Sequence, residues 1–310
     1  MHINIIGAPI TYGSGKTGVD KGPAELRNNN FIGIGRSKGL KIYDNGDLII
    51  PQIIAGDKYK TNPKLKYLDV IRDFNEDLAE KVYLSLNSGN FPIVIGGDHS
   101  LGIGSVAGVS KYHNNLEDFA IIWIDAHADI NTEDTSPSGN IHGMPLAAAI
   151  GYGHKDLTSV YFDDIKVKPE NVYVFGGRDI DEGEYKIIEE TGVHLYEMKD
   201  IRKNGFNESI DEIINDIKDK GINNVHVSFD IDSIDPSFTP STGTPVKGGF
   251  TVKEGQEILV RLINEGFVKS LDFVELNPTI DIRDITVDNC IKIIDKVYDA
   301  LREVYGDKLK

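Results

Sequence analysis

The sequence predicts an α/β fold organised as one domain around a parallel sheet, and three observations predict it. Short apolar runs recur along the 310 residues. Stretches of helical periodicity separate them, and nearly every run ends in a polar residue or a glycine. Continuous rather than alternating hydrophobicity marks strands buried on both faces, as in a parallel sheet covered by helices.

The first run, "INIIGAP", lies near the N-terminus. The others are "FPIVIGGDH" at 91–99, "FAIIWIDAH" at 119–127, "NVYVFGGRD" at 171–179, "NVHVSFDID" at 224–232 and "VKSLDFVELNP" at 268–278. Between them, residues 65–86 place Leu65, Leu68, Ile71, Leu78 and Val82 at near-helical spacing, with Gly89 as a stop. Residues 209–219 and 253–264 read in the same way. No Ser/Gly-rich linker or shift of composition marks a boundary, so one domain over 1–310 is expected.

Composition narrows the function. With 33 basic against 49 acidic residues the net charge is -16, which argues against nucleic-acid and anionic-membrane partners, since both require a basic surface. Metal cations and cationic small molecules fit. The single cysteine, Cys290, excludes an intrachain disulfide and fits a reducing compartment, and reads as a small buried residue of a helix. "MHINIIGAPI" has no basic n-region, and no run reaches the roughly 18 apolar residues of a membrane helix. A cytoplasmic protein is expected.

The strand endings are His99, Asp125, Arg178, Asp230 and Glu275. Ligands of open parallel sheets bind beyond the carboxyl ends of the strands, so these endings define the candidate active site. "IIWIDAHADIN" carries an apolar strand into Asp125, His127 and Asp129; in an extended chain these i, i+2 and i+4 residues share a face. "SFDIDSIDP" repeats the pattern with Asp230 and Asp232, and "GGDHS" adds His99 after a Gly-Gly exit. Two imidazoles and four carboxylates exceed one tetrahedral zinc site, and their oxygen-rich mixture suits manganese. Six such ligands suit two divalent ions if some carboxylates bridge, and four aspartates would neutralise the pair. A metal pair of this kind activates water, so hydrolysis is the expected reaction class. Any one of these segments alone reads as loop or helix-cap chemistry; three at the same end of parallel strands do not. Of the other histidines, His2, His113, His154 and His194 read as solvated and His226 as a hydrogen-bonded core residue.

These residues, with "GAPITYGSGKTGVDKGPAELR", "SGNIHGMP", "GTPVKGG" and "VELNP", give a chain that resembles the ureohydrolase family, the arginases in particular, over almost its entire length. The resemblance implies a three-layer α/β/α sandwich with a central, mostly parallel eight-stranded sheet, and two Mn2+ per chain. It implies one manganese on His99, Asp125, Asp129 and Asp230 and another on His127, Asp125, Asp230 and Asp232. It further implies hydrolysis of the L-arginine guanidinium to L-ornithine and urea by a metal-bridging hydroxide, with Glu275 pairing the guanidinium and Thr244 lining its site. A planar cation with a fork of donors suits a carboxylate.

Substrate choice is expected in the loop "INTEDTSPSGNIHGMP", 130–145. By the same resemblance Asn131, Ser138 and Asn140 hold the α-carboxylate, Asp181 lies near the α-ammonium, and His142 shuttles a proton to the leaving amine. Ser-Gly-Asn is also ordinary turn chemistry, and Asp181 could cap a helix. Family members imply a homo-oligomer, trimer or hexamer, serving arginine metabolism and the urea cycle.

Three features depart or distract. Ser241 stands where arginases commonly have glycine, so a position near Thr244 able to take positive φ carries a side chain instead. Glu133 and Asp134 add acids to the specificity loop and would favour a substrate without a carboxylate, such as agmatine. "GSGKT" at 13–17 lacks the upstream glycine of a phosphate loop, since Ile10 stands there, and reads as a flexible turn. The alternatives to arginase are an agmatinase or another guanidino-acid ureohydrolase, sharing the metal ligands without the α-carboxylate donors, and a non-catalytic sensor, which would be expected to have lost a ligand, Glu275 or His142.

Overall fold

In the computed structural model, which describes residues 2–51 and 53–306, eight parallel strands form one sheet with helices on both sides. The strands are β1 (Ile3–Ala8), β2 (Ile42–Asp47), β3 (Phe91–Gly96), β4 (Ala120–Ile124), β5 (Val172–Gly177), β6 (His194–Glu197), β7 (Val225–Asp230) and β8 (Val268–Val274). Their order across the sheet is β2-β1-β3-β8-β7-β4-β5-β6. Every pairing is parallel, which sharpens the expectation of a mostly parallel sheet.

Side-chain alternation within each strand fills two cores, one per face. Ile122 and Ile124 of β4 enter the first, with Ile213 and Leu259 from the helices α4 (Phe206–Asp219) and α5 (Val252–Asn264), while Ile121 and Trp123 enter the second with Leu78 and Val106. The last two come from α1 (Leu68–Asn87) and α2 (Gly102–His113). A further helix, α3 (Glu182–Thr191), follows β5, and α6 (Ile285–Tyr305) closes the chain on the first core, with Cys290 buried on it. Burying one such aliphatic side chain contributes about 1.5–3 kcal/mol, so strand faces are read strongly into the sequence.

The two edge strands escaped sequence reading for the same reason. β2 is exposed after its first residue and β6 is only half-buried, so neither carries a continuous apolar run. His194 accordingly lies in β6, partly exposed as expected and stacked on Tyr173 at 4.8 Å. His113 departs from expectation: half-buried at the end of α2, its pKa is lowered to about 4, chiefly by burial. His226 is a core residue as expected, held by Ser270 Oγ at 2.8 Å and Asp272 Oδ2 at 3.1 Å.

The strand order determines where a ligand can sit. From β3 the chain crosses to β4, and the two places between them are filled later by β8 and β7. The exits of β3, β8, β7 and β4 are therefore contiguous at a topological switch point, where open sheets leave a crevice beyond the carboxyl ends.

Candidate active site

Three short turns deliver the ligand-type residues. The expectation that strand alternation would align them is not what the backbone does, because Asp125 to His127 lie in bends beyond β4, Asp129 lies in irregular chain after them and Asp232 lies in the 3-10 turn Ile231–Ser233. Each leading aspartate instead accepts the backbone N–H two residues on: Asp125 Oδ1 from His127 at 2.8 Å, Asp230 Oδ1 from Asp232 at 2.7 Å, and Asp98 Oδ1 from Ser100 at 3.0 Å. Such Asx turns suit aspartate at a strand exit and fold the following side chain back over the strand end. Asp129 adopts φ 50 and Glu275 φ 68, left-handed conformations costly for residues with a Cβ and concentrated at functional sites.

The six residues converge on two neighbouring points. His99 Nδ1 lies 3.0 Å from Asp125 Oδ2, 3.1 Å from Asp129 Oδ2 and 3.2 Å from Asp230 Oδ2. His127 Nδ1 lies 3.3 Å from Asp125 Oδ1 and 3.2 Å from Asp232 Oδ2. Asp125 therefore turns one oxygen to each group. The buried His99 Nδ1 satisfies no hydrogen bond despite three carboxylate oxygens around it, an arrangement that suits a cation among them rather than a proton. The donor set, nitrogen with several carboxylate oxygens, fits manganese. His99 is oriented by Ser228 Oγ on Nε2 at 2.8 Å and by stacking on Trp123 at 3.9 Å, and Trp123 Nε1 donates to Asp125 Oδ2 at 3.0 Å. Partners of this kind fix a ligand's tautomer and angle.

Electrostatics express the crowding. Burial raises Asp230 well above the carboxylate range and raises Asp232, in both cases with neighbouring aspartates adding to it. Burial and then Asp125 bring Asp129 to about 6. For Asp125 burial pushes upward, but hydrogen bonds from His127 and His99 outweigh it and hold the group well below its usual value. For both imidazoles burial favours the neutral form and the carboxylates win, raising them well above the usual histidine value. Without metal the cluster holds protons; divalent cations would replace them.

Above this cluster opens a cavity of about 130 Å³ whose lining includes His99, His127, Asp129, Asp230, Asn131, Ser138, Asn140, His142, Asp181 and Thr244. Asp125, Asp232 and Glu275 lie beneath the lining and are buried. Glu275 Oε1 accepts the His99 N–H at 2.9 Å and stands 3.5 Å from His142 Nδ1. Its Oε2 is buried without a partner and faces Gly243, where a Cβ would come within 3.3 Å. A buried carboxylate oxygen so left is costly unless a ligand donor completes it. Thr244 Oγ1 donates to Asp232 Oδ2 at 3.0 Å. Burial lowers the His142 pKa and Glu275 more than offsets it, so the net shift is upward.

Asp181 both lines the cavity and starts α3: its N–H donates to Glu184 Oε2 at 2.9 Å, while its own Oδ2 accepts from Asn131 Nδ2 at 2.9 Å. Glu184 and Asp179 also line the cavity and were missed from sequence; burial raises Glu184 to about 7. The signal was present in "GGRDIDEGE", a strand exit with four acids, but its first-turn acids read as helix capping.

Structure answers the departures. Ser241 is not in the left-handed region, and its hydroxyl donates to Asp281 Oδ1 at 2.9 Å, so serine is tolerated there. Asp134 pairs with Lys64 at 2.6 Å, and neither it nor Glu133 lines the cavity, which removes the reason to expect a preference for agmatine. "GSGKT" is no free turn: Gly13 N–H donates to Asp98 Oδ2 at 2.8 Å and Gly13 O accepts from the His142 N–H at 3.1 Å.

Residues 1–298 match the Arginase family. The chain belongs to that family. The arginase of Staphylococcus aureus strain COL is 39% identical over 292 residues, 94% of this chain and 95% of that one. The solved arginase of Bacillus caldovelox superposes with a TM-score of 0.89 at 39% identity, covering 96% of this chain and 98% of that one. The arginase of Entamoeba histolytica, solved in complex with L-ornithine, has a TM-score of 0.87 at 32% identity and covers 96% and 97%. As an arginase-family member this chain is a hydrolase, and its His/Asp clusters are able to hold metal.

Proposed function

We propose that this enzyme hydrolyses L-arginine to L-ornithine and urea with two Mn2+ ions per chain. One observation carries the reading: Asp125 offers Oδ2 to the His99 group and Oδ1 to the His127 group, an arrangement that would suit a carboxylate shared by two cations. The comparisons agree in kind, since the relatives are arginases and one was solved with L-ornithine. His99, Asp125, Asp129 and Asp230 would hold one ion, and His127, Asp125, Asp230 and Asp232 the other. When bound, the ions supply a water of lowered pKa and positive charge near the reacting carbon.

The protein's own residues do the rest. Glu275, with its unpartnered Oε2, pairs the guanidinium and fixes its central carbon over the metal cluster. Thr244 holds Asp232 and closes that side. Asp129 lines the cavity beside the cluster, where it can accept a proton from the attacking water. His142, close to Glu275 and open to the cavity, is placed to hand a proton to the departing amine of ornithine. Asn131, Ser138 and Asn140 receive the α-carboxylate and Asp181 the α-ammonium. The family reading extends to a cytoplasmic homo-oligomer, trimer or hexamer, which light scattering of the purified protein checks.

Urea release in Mn2+ from L-arginine and from agmatine, measured in parallel, tests the reading. Turnover of L-arginine with little of agmatine is expected. Agmatine alone would make the enzyme an agmatinase, and release from neither would leave a binding protein.

A further inference from the structure

An acidic chain of net charge -16 places a basic strap against its specificity loop. Lys58, Lys60, Lys64 and Lys66 fall within residues 58–66, and this segment packs on the loop that carries Ser138 and Asn140. Backbone seats it: the Lys66 N–H donates to Gly139 O at 3.1 Å, and Gly139, at φ +70, has no room for a Cβ because Lys64 O would lie 2.1 Å away. Lys64 is occupied by Asp134 at 2.6 Å.

Lys66 is placed differently. Its Nζ donates to Asn140 Oδ1 at 2.6 Å, and among the described residues no carboxylate forms a salt bridge with it. An ammonium has donors only, so Asn140 must present its oxygen to Lys66 and turn its NH2 the other way. That NH2 stands beside Gly15, where a Cβ would be 3.3 Å from it, and Asn140 lines the cavity. The amide is thereby committed as a donor and polarised by the cation behind it.

We infer that Lys66 is a positioning residue that orients Asn140 as a donor for the α-carboxylate of the substrate and adds a half-buried positive charge behind it. The inference rests on the arginine reading above. It makes selection for a carboxylate-bearing guanidine partly electrostatic in a site otherwise rich in acids. Burial and the neighbouring Lys58 lower the pKa of Lys66, consistent with a cation short of counter-charge until a carboxylate arrives.

Steady-state kinetics of the Mn2+-loaded full chain test this, comparing the unmodified protein with Lys66→Met, Lys66→Gln and Lys66→Arg, and with guanidinium chloride as an inhibitor that lacks a carboxylate. In Lys66→Met and Lys66→Gln the KM for L-arginine is expected to rise about tenfold, as for loss of one charge-assisted contact, with kcat within about twofold. The guanidinium Ki should stay unchanged, and Lys66→Arg should recover at least half of the loss in KM. An unchanged KM in both neutral variants, a parallel rise of KM and guanidinium Ki, or no recovery in Lys66→Arg overturns the inference. Absence of urea release by the unmodified protein instead overturns the arginine reading, and this inference with it.

Discussion

At the scale of single residues, two carboxylates that look alike in sequence are placed for different work under the proposed function. Asp125 is buried and shared between two ligand groups, so its loss disables both. Asp125→Ala is expected to abolish detectable urea release and to drop Mn2+ content from about two ions per chain to less than one, as metal analysis after gel filtration would show. Glu275 touches the cluster only through the His99 backbone and keeps one oxygen free. Glu275→Gln should retain its manganese while kcat/KM for L-arginine falls by at least a hundredfold, because a neutral amide pairs poorly with guanidinium. Metal loss in that variant would give Glu275 another role. Asp125 was legible as a ligand-type residue from its type and spacing at the strand end, and Glu275 only as an acid at a strand end, its pairing role coming from the family resemblance. Glu184 was not, because an acid in a helix's first turn carries the same sequence signature whether it caps or binds.

At the scale of elements, the Asx turns after β3, β4 and β7 convert strand exits into a ligand cluster, and the loop after β1 locks the whole. Gly13 bridges Asp98 and His142, and a Cβ on it would stand 2.4 Å from Asp98 Oδ1. Gly13→Ala should therefore displace the turn that carries His142. The expected result is a kcat reduced about ten- to a hundredfold with manganese content unchanged, a cost typical of misplacement near 1 Å. Unaltered kcat would show that the loop can yield without moving His142. Edge strands β2 and β6 were invisible to sequence reading because exposure on an edge removes the apolar run that reveals a central strand. The turn geometry was also illegible: i, i+2 spacing of acids fits an extended strand and an Asx turn alike, and only hydrogen bonding separates them.

At the scale of the molecule, stability and metal are linked. Four carboxylates and two imidazoles in a buried crevice cost free energy that bound cations offset, so chelation should lower Tm by several degrees. The sign of its pH dependence follows from the shifts. His99 and His127 have raised pKa values in the folded, metal-free protein, so the stability they contribute is present at low pH and lost as pH rises through those values. Asp129, Asp230 and Asp232 are also raised, so ionising them costs stability in the same direction; Asp125, held low, opposes. Metal displaces the protons, hence binding tightens as pH rises. The difference in Tm between Mn2+-loaded and chelated protein should widen from pH 5.5 to 8.5 by scanning calorimetry; a constant difference would mean that metal uptake releases no protons.

The sequence by itself determined the central strands, the polar exits and the donor types, because burial on two faces and ligand chemistry each write a local pattern that survives without coordinates. Tertiary structure alone decided that β8 and β7 fill the gap between β3 and β4, so that residues more than a hundred positions apart share a crevice. It also decided that Lys66 lies behind Asn140 and that Glu133 and Asp134 turn away from the cavity. These are long-range packing outcomes, and the physical reason they escape the sequence is that side-chain direction at a loop depends on which distant backbone it meets.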